Sequence, residues 1–291
     1  MKCKIIACAE CDAEFLKEKF DEYTIDRIPC DPDADEGRFI FKITRGGNIV
    51  GGCVLSIDQW RMACISCMWV DEQYRGHGLG SAILRKAESV AKKRGCYISV
   101  LGTFDFQAMP FYAKHGYKLC GSVMDWPRGH ESYAMMKRLD RFSVRDALFA
   151  IYPGKKFPIL PGKDEDADFL NNRLEMHDVS IVPYEHQSFS LGKCILNGEG
   201  SIIAGCLAEI SGWNSVHIDL IWVDEAYRDR GLGSRLLREV EHEAKERGGF
   251  IAIADAFEWQ AGILEKNGYK VKAAILDCPK GHSWHCMSKY L

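Results

Sequence analysis

The stretch Trp69–Ser81, WVDEQYRGHGLGS, returns as Trp222–Ser234, WVDEAYRDRGLGS, with ten of the thirteen positions identical. Each copy follows a short apolar run, Ile65–Val70 or Ile218–Val223. After the first, apolar residues recur at three- and four-residue steps (Ala82, Ile83, Ala87, Val90, Ala91), while Arg85, Lys86, Lys92 and Lys93 take the other face. That pattern is strand, glycine-rich loop and amphipathic helix. At a helix start several backbone N–H groups have no partner within the helix. Glycines there let an anion come close, and the helix dipole favours negative charge. The ligand expected of such a loop is a pyrophosphate or something like it, with Arg75 adding a fixed charge. The dinucleotide fingerprint G-x-G-x-x-G and the Lys-Ser or Lys-Thr ending of a P-loop are both absent.

What occurs instead is R-x-x-G-x-G, at Arg75, Gly78 and Gly80 and again at Arg228, Gly231 and Gly233. This resembles the acetyl-CoA pyrophosphate loop of the GCN5-related N-acetyltransferases, the GNAT superfamily, and the segment Phe111–Tyr117, FYAKHGY, adds to the likeness. The resemblance implies a mixed α/β fold in which a central sheet, flanked by helices, splays beside the glycine loop to admit acetyl-CoA. It implies cofactor contacts from Met68, Trp69 and Val70 and from Arg75, Gly76, His77, Gly78, Leu79, Gly80 and Ser81. In the second copy the counterparts are Ile221, Trp222 and Val223, then Arg228, Asp229, Arg230, Gly231, Leu232, Gly233 and Ser234. Asp229 is an acid in a phosphate loop, where the first copy has Gly76, and Arg230 beside it is positioned to offset that charge.

The chain has 291 residues, 47% hydrophobic and 27% charged, with a net charge of −3. That length suits two globular domains, and the charge balance gives no global bias toward nucleic acid or anionic lipid. The apolar run Ile5–Ala9 is too short for a signal-peptide core, and no stretch is long enough to span a membrane. The expectation is a cytoplasmic protein whose thirteen cysteines are reduced thiols. Of two metal-like patterns, Cys64 and Cys67 fall on opposite faces of a strand. Cys278, His282, His285 and Cys286 have ligand-like spacing, but only His282 has a counterpart in the first copy, so no metal is expected.

The copies are expected as domains 1–139 and 157–291, joined by a linker at 140–156 in which Ser143 caps a short helix. A repeat of this length is a domain duplication. Within each copy the expected order is a strand (Lys4–Ala7 or Phe157–Leu160), then a helix capped by Asp12 or by Asp164 or Asp166, with Phe15, Leu16 and Phe20 or Phe169, Leu170 and Leu174 buried. Strands follow at Arg38–Thr44 and Ile49–Ile57, or Lys193–Leu196 and Ile202–Ile210, then the motif, a strand at Cys96–Leu101 or Phe250–Ala254, and a short helix from Phe106 to His115 closed by Gly116 or Gly268. Many GNAT proteins are homodimers, so the resemblance implies a monomer that is its own pseudo-dimer.

In the chemistry that the resemblance implies, an amine attacks the thioester directly. Tyr112 then gives its proton to the CoA sulfur, and a backbone N–H near Met68–Val70 receives the oxyanion. Leu264 replaces that tyrosine in the second copy, which favours the first copy for catalysis. Asp219, where the first copy has Ser66, is either a base raised by its apolar strand or a structural partner of a loop N–H. His130 and His282 recur in matching P-x-G-H turns, either facing the acceptor or lying at the surface. Trp60 and Trp213 read as core aromatics. The alternatives to catalysis in the first copy are catalysis in the second, with the first as scaffold, or a non-catalytic acyl-CoA sensor. The acceptor is expected to be a small-molecule or peptide amine, with neither nucleic acid nor membrane as partner.

Overall fold

The inner strands are near-continuous apolar runs, buried at consecutive positions in Asn48–Ile57 and Ile202–Ile210, which demands two covered faces, and the chain supplies both covers in an exchanged manner. The computed structural model describes residues 4–141 and 157–291, so the helix expected after Ser143 lies outside the described residues. The first half contains β1 (Lys4–Ala7), α1 (Glu10–Arg27), β2 (Gly37–Arg45), β3 (Asn48–Ile57), β4 (Met62–Val70), α2 (Leu79–Lys93), β5 (Ile98–Phe104), α3 (Met109–Lys114), β6 (Lys118–Met124) and β7 (Glu131–Arg138). The second repeats this as β8 (Ile159–Pro161), α4 (Asp164–Ile181), β9 (Phe189–Leu196), β10 (Ile202–Ile210), β11 (Ser215–Val223), α5 (Leu232–Glu246), β12 (Ile251–Phe257), α6 (Ala261–Lys266), β13 (Lys270–Leu276) and β14 (Ser283–Tyr290).

The described strands form one fourteen-stranded mixed sheet in the order β1-β9-β10-β11-β12-β14-β13-β6-β7-β5-β4-β3-β2-β8. Replacing each strand by its repeat counterpart gives the same order read from the other end, so an approximate two-fold axis runs between β13 and β6. There Ala273 stands opposite Gly121, and a Cβ on Gly121 would lie 2.2 Å from the Lys272 carbonyl oxygen. Only glycine lets the two halves come that close.

The outer strands reveal the exchange. β1 of the first half pairs antiparallel with β9 of the second, and β8 of the second pairs with β2 of the first. The helices follow their strands. Leu16 of α1 is fully buried among Cys194, Leu207, Leu220 and Trp222, and Leu170 of α4 among Ile40, Val54, Cys67 and Trp69. Each half-sheet therefore carries its own long helix, α2 or α5, on one face and the other half's opening helix on the opposite face. Trp60 Nε1–H donates to the Ile28 carbonyl and Trp213 Nε1–H to that of Val182, fixing the points where each exchanged helix hands the chain back.

Exchange also joins two cysteines. Cys8 and Cys194 form a disulfide, so the expectation that all thirteen cysteines are free thiols does not hold. The partners lie 186 residues apart in different repeats, and they meet because Cys8 continues β1 alongside β9, its N–H bonding Gly192 O.

Local differences have local causes. Asp12 and Asp166 are not N-caps but stand three positions on, where their carboxylates accept the N–H of Ala9 (2.8 Å) and Lys163 (2.7 Å). Phe169 is exposed and lies edge-on to Trp69. The helix expected from Phe106 begins only at Met109, because Gln107 Oε1 takes the Phe104 N–H in a preceding turn. Asp31 and Asp35 of the acidic loop pair with Arg61 (2.7 Å) and Arg94 (2.8 Å). No helix among the described residues is long and apolar enough to cross a membrane.

Candidate active site

Parallel pairing between β4 and β5 runs from Met62↔Ile98 to Cys64↔Val100, and between β11 and β12 it ends at Ile218↔Ala254. Beyond those pairs the strands diverge, opposite a register shift at Val54/Leu55 or at Leu207/Ala208. Each divergence opens a cleft of about 550 Å³ that runs from the glycine loop into the sheet.

The loop leaves amides and space open toward the cleft. In the first half the Arg75 N–H bonds back to Glu72 O, and the next helical bond is Ala82 N–H to Gly78 O. Among the described residues the amides between them have no backbone acceptor. Gly76 and Gly78 sit at φ +76° and +80°, and a Cβ added to either would meet nothing within 4 Å. Gly80 instead allows close packing, since its Cβ would lie 3.4 Å from the Phe111 ring. The second loop repeats the geometry with Gly231 at φ +74° and Asp229 at φ +60°. These free amides and the room above the glycines fit the diphosphate of coenzyme A.

Met68, Trp69, Val70, Arg75, Gly76, Gly78, Leu79, Gly80, Ser81 and Tyr112 all line the first cleft. Asp219, Ile221, Trp222, Val223, Arg228, Asp229, Gly231, Leu232, Gly233 and Ser234 line the second. His77 and Arg230 do not. His77 Nδ1 bonds Arg75 O (2.8 Å), and Arg230 donates to Ala226 O (2.9 Å) while lying over Tyr227. Arg75 and Arg228 each spend Nε–H on the strand carbonyl behind them, Val70 O at 3.0 Å and Val223 O at 3.2 Å, so they tether the loop as well as charge it. Ser81 Oγ is held by His115 Nε2 and Ser234 Oγ by Asn267 Nδ2.

His130 and His282 lie outside both cleft linings. Each ring is bonded to a carboxylate that follows β5 or β12, Asp105 at 3.0 Å or Glu258 at 2.7 Å, and packs edge-on against Phe106 or Trp259. They pin the P-x-G-H turns.

Tyr112 is buried, and that burial raises its phenol well above the ordinary value, with the neighbouring thiols Cys53 and Cys67 adding to the effect. It keeps its proton at any physiological pH. Leu264, at the same place in the second cleft, is buried and offers no donor.

Three contributions escape the sequence. Leu174 and His177 of α4 line the first cleft, and Phe20 and Tyr23 of α1 line the second, so each cleft is completed by the other half. Asp255, where the first copy has Gly102, also lines the second cleft near Asp219. Burial raises Asp219 and pushes Asp255 up to about 6. The only sequence signal for Asp255 was an acid inside an apolar strand.

A carboxyl whose folded pKa is raised stabilises the fold fully below its unfolded pKa, and that contribution is lost as pH rises through the folded value. For Asp255 the window runs from about 4 to about 6. Asp255→Asn should therefore raise the melting temperature at pH 7.5 by about 2 °C or more, and leave it unchanged at pH 4, in paired thermal unfolding scans. A gain of equal size at both pH values would contradict a raised carboxyl.

The model of the acetyltransferase (GNAT) family matches residues 6–117 and again residues 158–268. Blasticidin-S acetyltransferase of Streptomyces morookaense is 40% identical over 94 residues, which are 32% of this chain and 68% of that protein. Glucosamine 6-phosphate N-acetyltransferase of Trypanosoma brucei brucei is 34% identical over 77 residues, 26% of this chain and 44% of the relative. A crystal structure of an acetyltransferase from Bacillus cereus ATCC 14579 aligns with a TM-score of 0.43 and 34% identity, covering 45% of this chain and 94% of its own. Two family matches spanning most of the sequence, each centred on a splayed sheet and an amide-lined loop, establish that the chain belongs to the GNAT family of acetyl-CoA-dependent acetyltransferases, as a tandem pair.

Proposed function

We propose that the first cleft transfers the acetyl group of acetyl-CoA to the primary amine of a small molecule, by direct attack of the amine on the thioester. One observation carries the choice of cleft: Tyr112 lines the first, and Leu264 stands at that position in the second. A thiolate leaving in an apolar cleft needs a donor. Tyr112 supplies a proton or a strong hydrogen bond, and its raised pKa favours the bond over complete transfer early in the step. The loop amides of residues 76–81 would hold the diphosphate, and the unpaired edge of β4 near Met68–Val70 would direct an N–H at the developing oxyanion. The two curated relatives carry the names of small amine-bearing acceptors, which supports that acceptor class here.

Tyr112→Phe should lower kcat about 100-fold or more while the Kd for acetyl-CoA, measured by calorimetry, stays within a factor of about two. An unaffected kcat would remove the first cleft from the chemistry.

The second cleft supports a different reading through Asp219 and Asp255, two raised carboxyls on its splayed strands. They suit proton uptake from an ammonium, with the leaving thiolate protonated by solvent. Asp255→Asn abolishing turnover while Tyr112→Phe leaves it intact would favour this reading.

A further inference from the structure

We infer that His177, carried by α4 of the second half, is the general base of the first cleft, with Asp178 and Gln107 as its positioning residues. The inference rests on the first cleft being the catalytic one. His177 lines that cleft together with Tyr112. Its Nδ1 lies 3.2 Å from Asp178 Oδ1, and the Asp178 side chain is only 9% exposed. Both carboxylate oxygens accept from Gln107 Nε2, at 2.9 and 2.8 Å, and Gln107 Oε1 is itself fixed by the Phe104 N–H and the Thr103 hydroxyl. A carboxylate locked in this way keeps the proton on Nδ1 and leaves Nε2 as the basic nitrogen.

The other groups lining the cleft leave little choice. The titratable ones are Cys67, which burial pushes up to about 12, the phenols of Tyr74 and Tyr112, and the cations Arg75 and Lys114. No carboxylate lines this cleft among the described residues. Beyond Asp178 stands Tyr184, also pushed up to about 12 by burial. The second cleft lacks the device: Tyr23 and Thr24 replace His177 and Asp178, and the Thr24 hydroxyl turns back to Phe20 O. There Gln260 Nε2, the counterpart of the Gln107 donor, is buried without a partner among the described residues.

The step balances without a further reagent. His177 Nε2 takes one proton from the substrate ammonium and the freed nitrogen pair forms the N–C bond. The C–S bond breaks with its electron pair on sulfur, and Tyr112 protonates the sulfur. The nitrogen's second proton restores Tyr112 in net balance, and the imidazolium returns its own to solvent.

On the full-length chain, His177→Gln should lower kcat about 100-fold or more, with acetyl-CoA affinity unchanged, and should abolish the loss of kcat/KM on acidification that a histidine base imposes on the wild type. A readout independent of turnover is the His177 ring signal in 13C-histidine NMR, assigned by its absence from His177→Gln. In Asp178→Asn that signal should lose the shift pattern of the Nδ1-protonated tautomer, because a neutral amide holds that proton less firmly. The inference is overturned if His177→Gln keeps the acid limb and the rate, or if Asp178→Asn leaves the tautomer as it is in the wild type. Should Tyr112→Phe lose activity while His177→Gln does not, the base is wrong and the cleft assignment stands. Should neither lose it, both fall.

Discussion

Leu16→Ala is expected to weaken the second half of the protein, although residue 16 belongs to the first. The side chain is fully buried against Cys194, Leu207, Leu220 and Trp222, and it fills the space that Gly205 leaves, where a Cβ would lie 2.2 Å from Leu16 Cδ1. Removing a fully buried leucine costs about 2–5 kcal/mol, the spread reflecting how far the cavity can collapse. Here collapse is limited, because α1 is held at one end by β1 and its disulfide and at the other by Trp60 on Ile28 O. α1 also delivers Phe20 and Tyr23 to the second cleft, so ligand binding there should suffer along with stability. Leu170→Ala should act in mirror image on the first half, through Leu174 and His177. The check is urea unfolding followed by amide hydrogen exchange. Protection lost from β10 and β11 in Leu16→Ala, and from β3 and β4 in Leu170→Ala, is the expected result, and the opposite assignment would refute the exchange.

Gly78→Val should remove acetyl-CoA binding from the first cleft. Gly78 stands at φ +80° as the N-cap of α2, and a β-branched side chain there is a backbone outlier costing at least about 1–2 kcal/mol. An added Cβ meets no protein atom within 4 Å, so the cost to the fold is backbone strain and not a clash at that atom. The loss falls on the ligand, since the valine fills the space an anion needs and the strained loop re-aims its amides. Affinity at that cleft should drop about 100-fold or more, equivalent to roughly 3 kcal/mol. Gly231→Val, at φ +74°, should do the same in the second cleft. Calorimetric titration of each variant with acetyl-CoA should show the remaining cleft alone, and a wild-type isotherm for both would dissociate the loops from the cofactor.

Much of this was legible in the residues. The repeated R-x-x-G-x-G between an apolar run and a helix-period run led to the loop and the splayed strands, because backbone amides at a helix start are a local feature. Strand β10 and the start of α2 lie where periodicity placed them, while β9 begins at Phe189, earlier than expected. Periodicity was weaker wherever a side chain bonded the backbone nearby, as Asp12, Asp166 and Gln107 do. Asp255 does not stand out in the sequence, because a lone acid in a strand is not distinguishable from an edge residue until its neighbours are known.

The amino-acid order alone determined two copies of one architecture, the glycine loop at a helix start in each, and the inequality of Tyr112 and Leu264. Only the tertiary structure decided that β1 and α1 complete the second copy and β8 and α4 the first, and with that the placement of His177, Tyr23 and the Cys8–Cys194 bond. The reason is physical: an amphipathic pattern specifies which face of a helix must be covered, but not by what. The duplication offers two nearly identical grooves, one over Gly52 and one over Gly205, and the choice between them lies in contacts far apart along the chain.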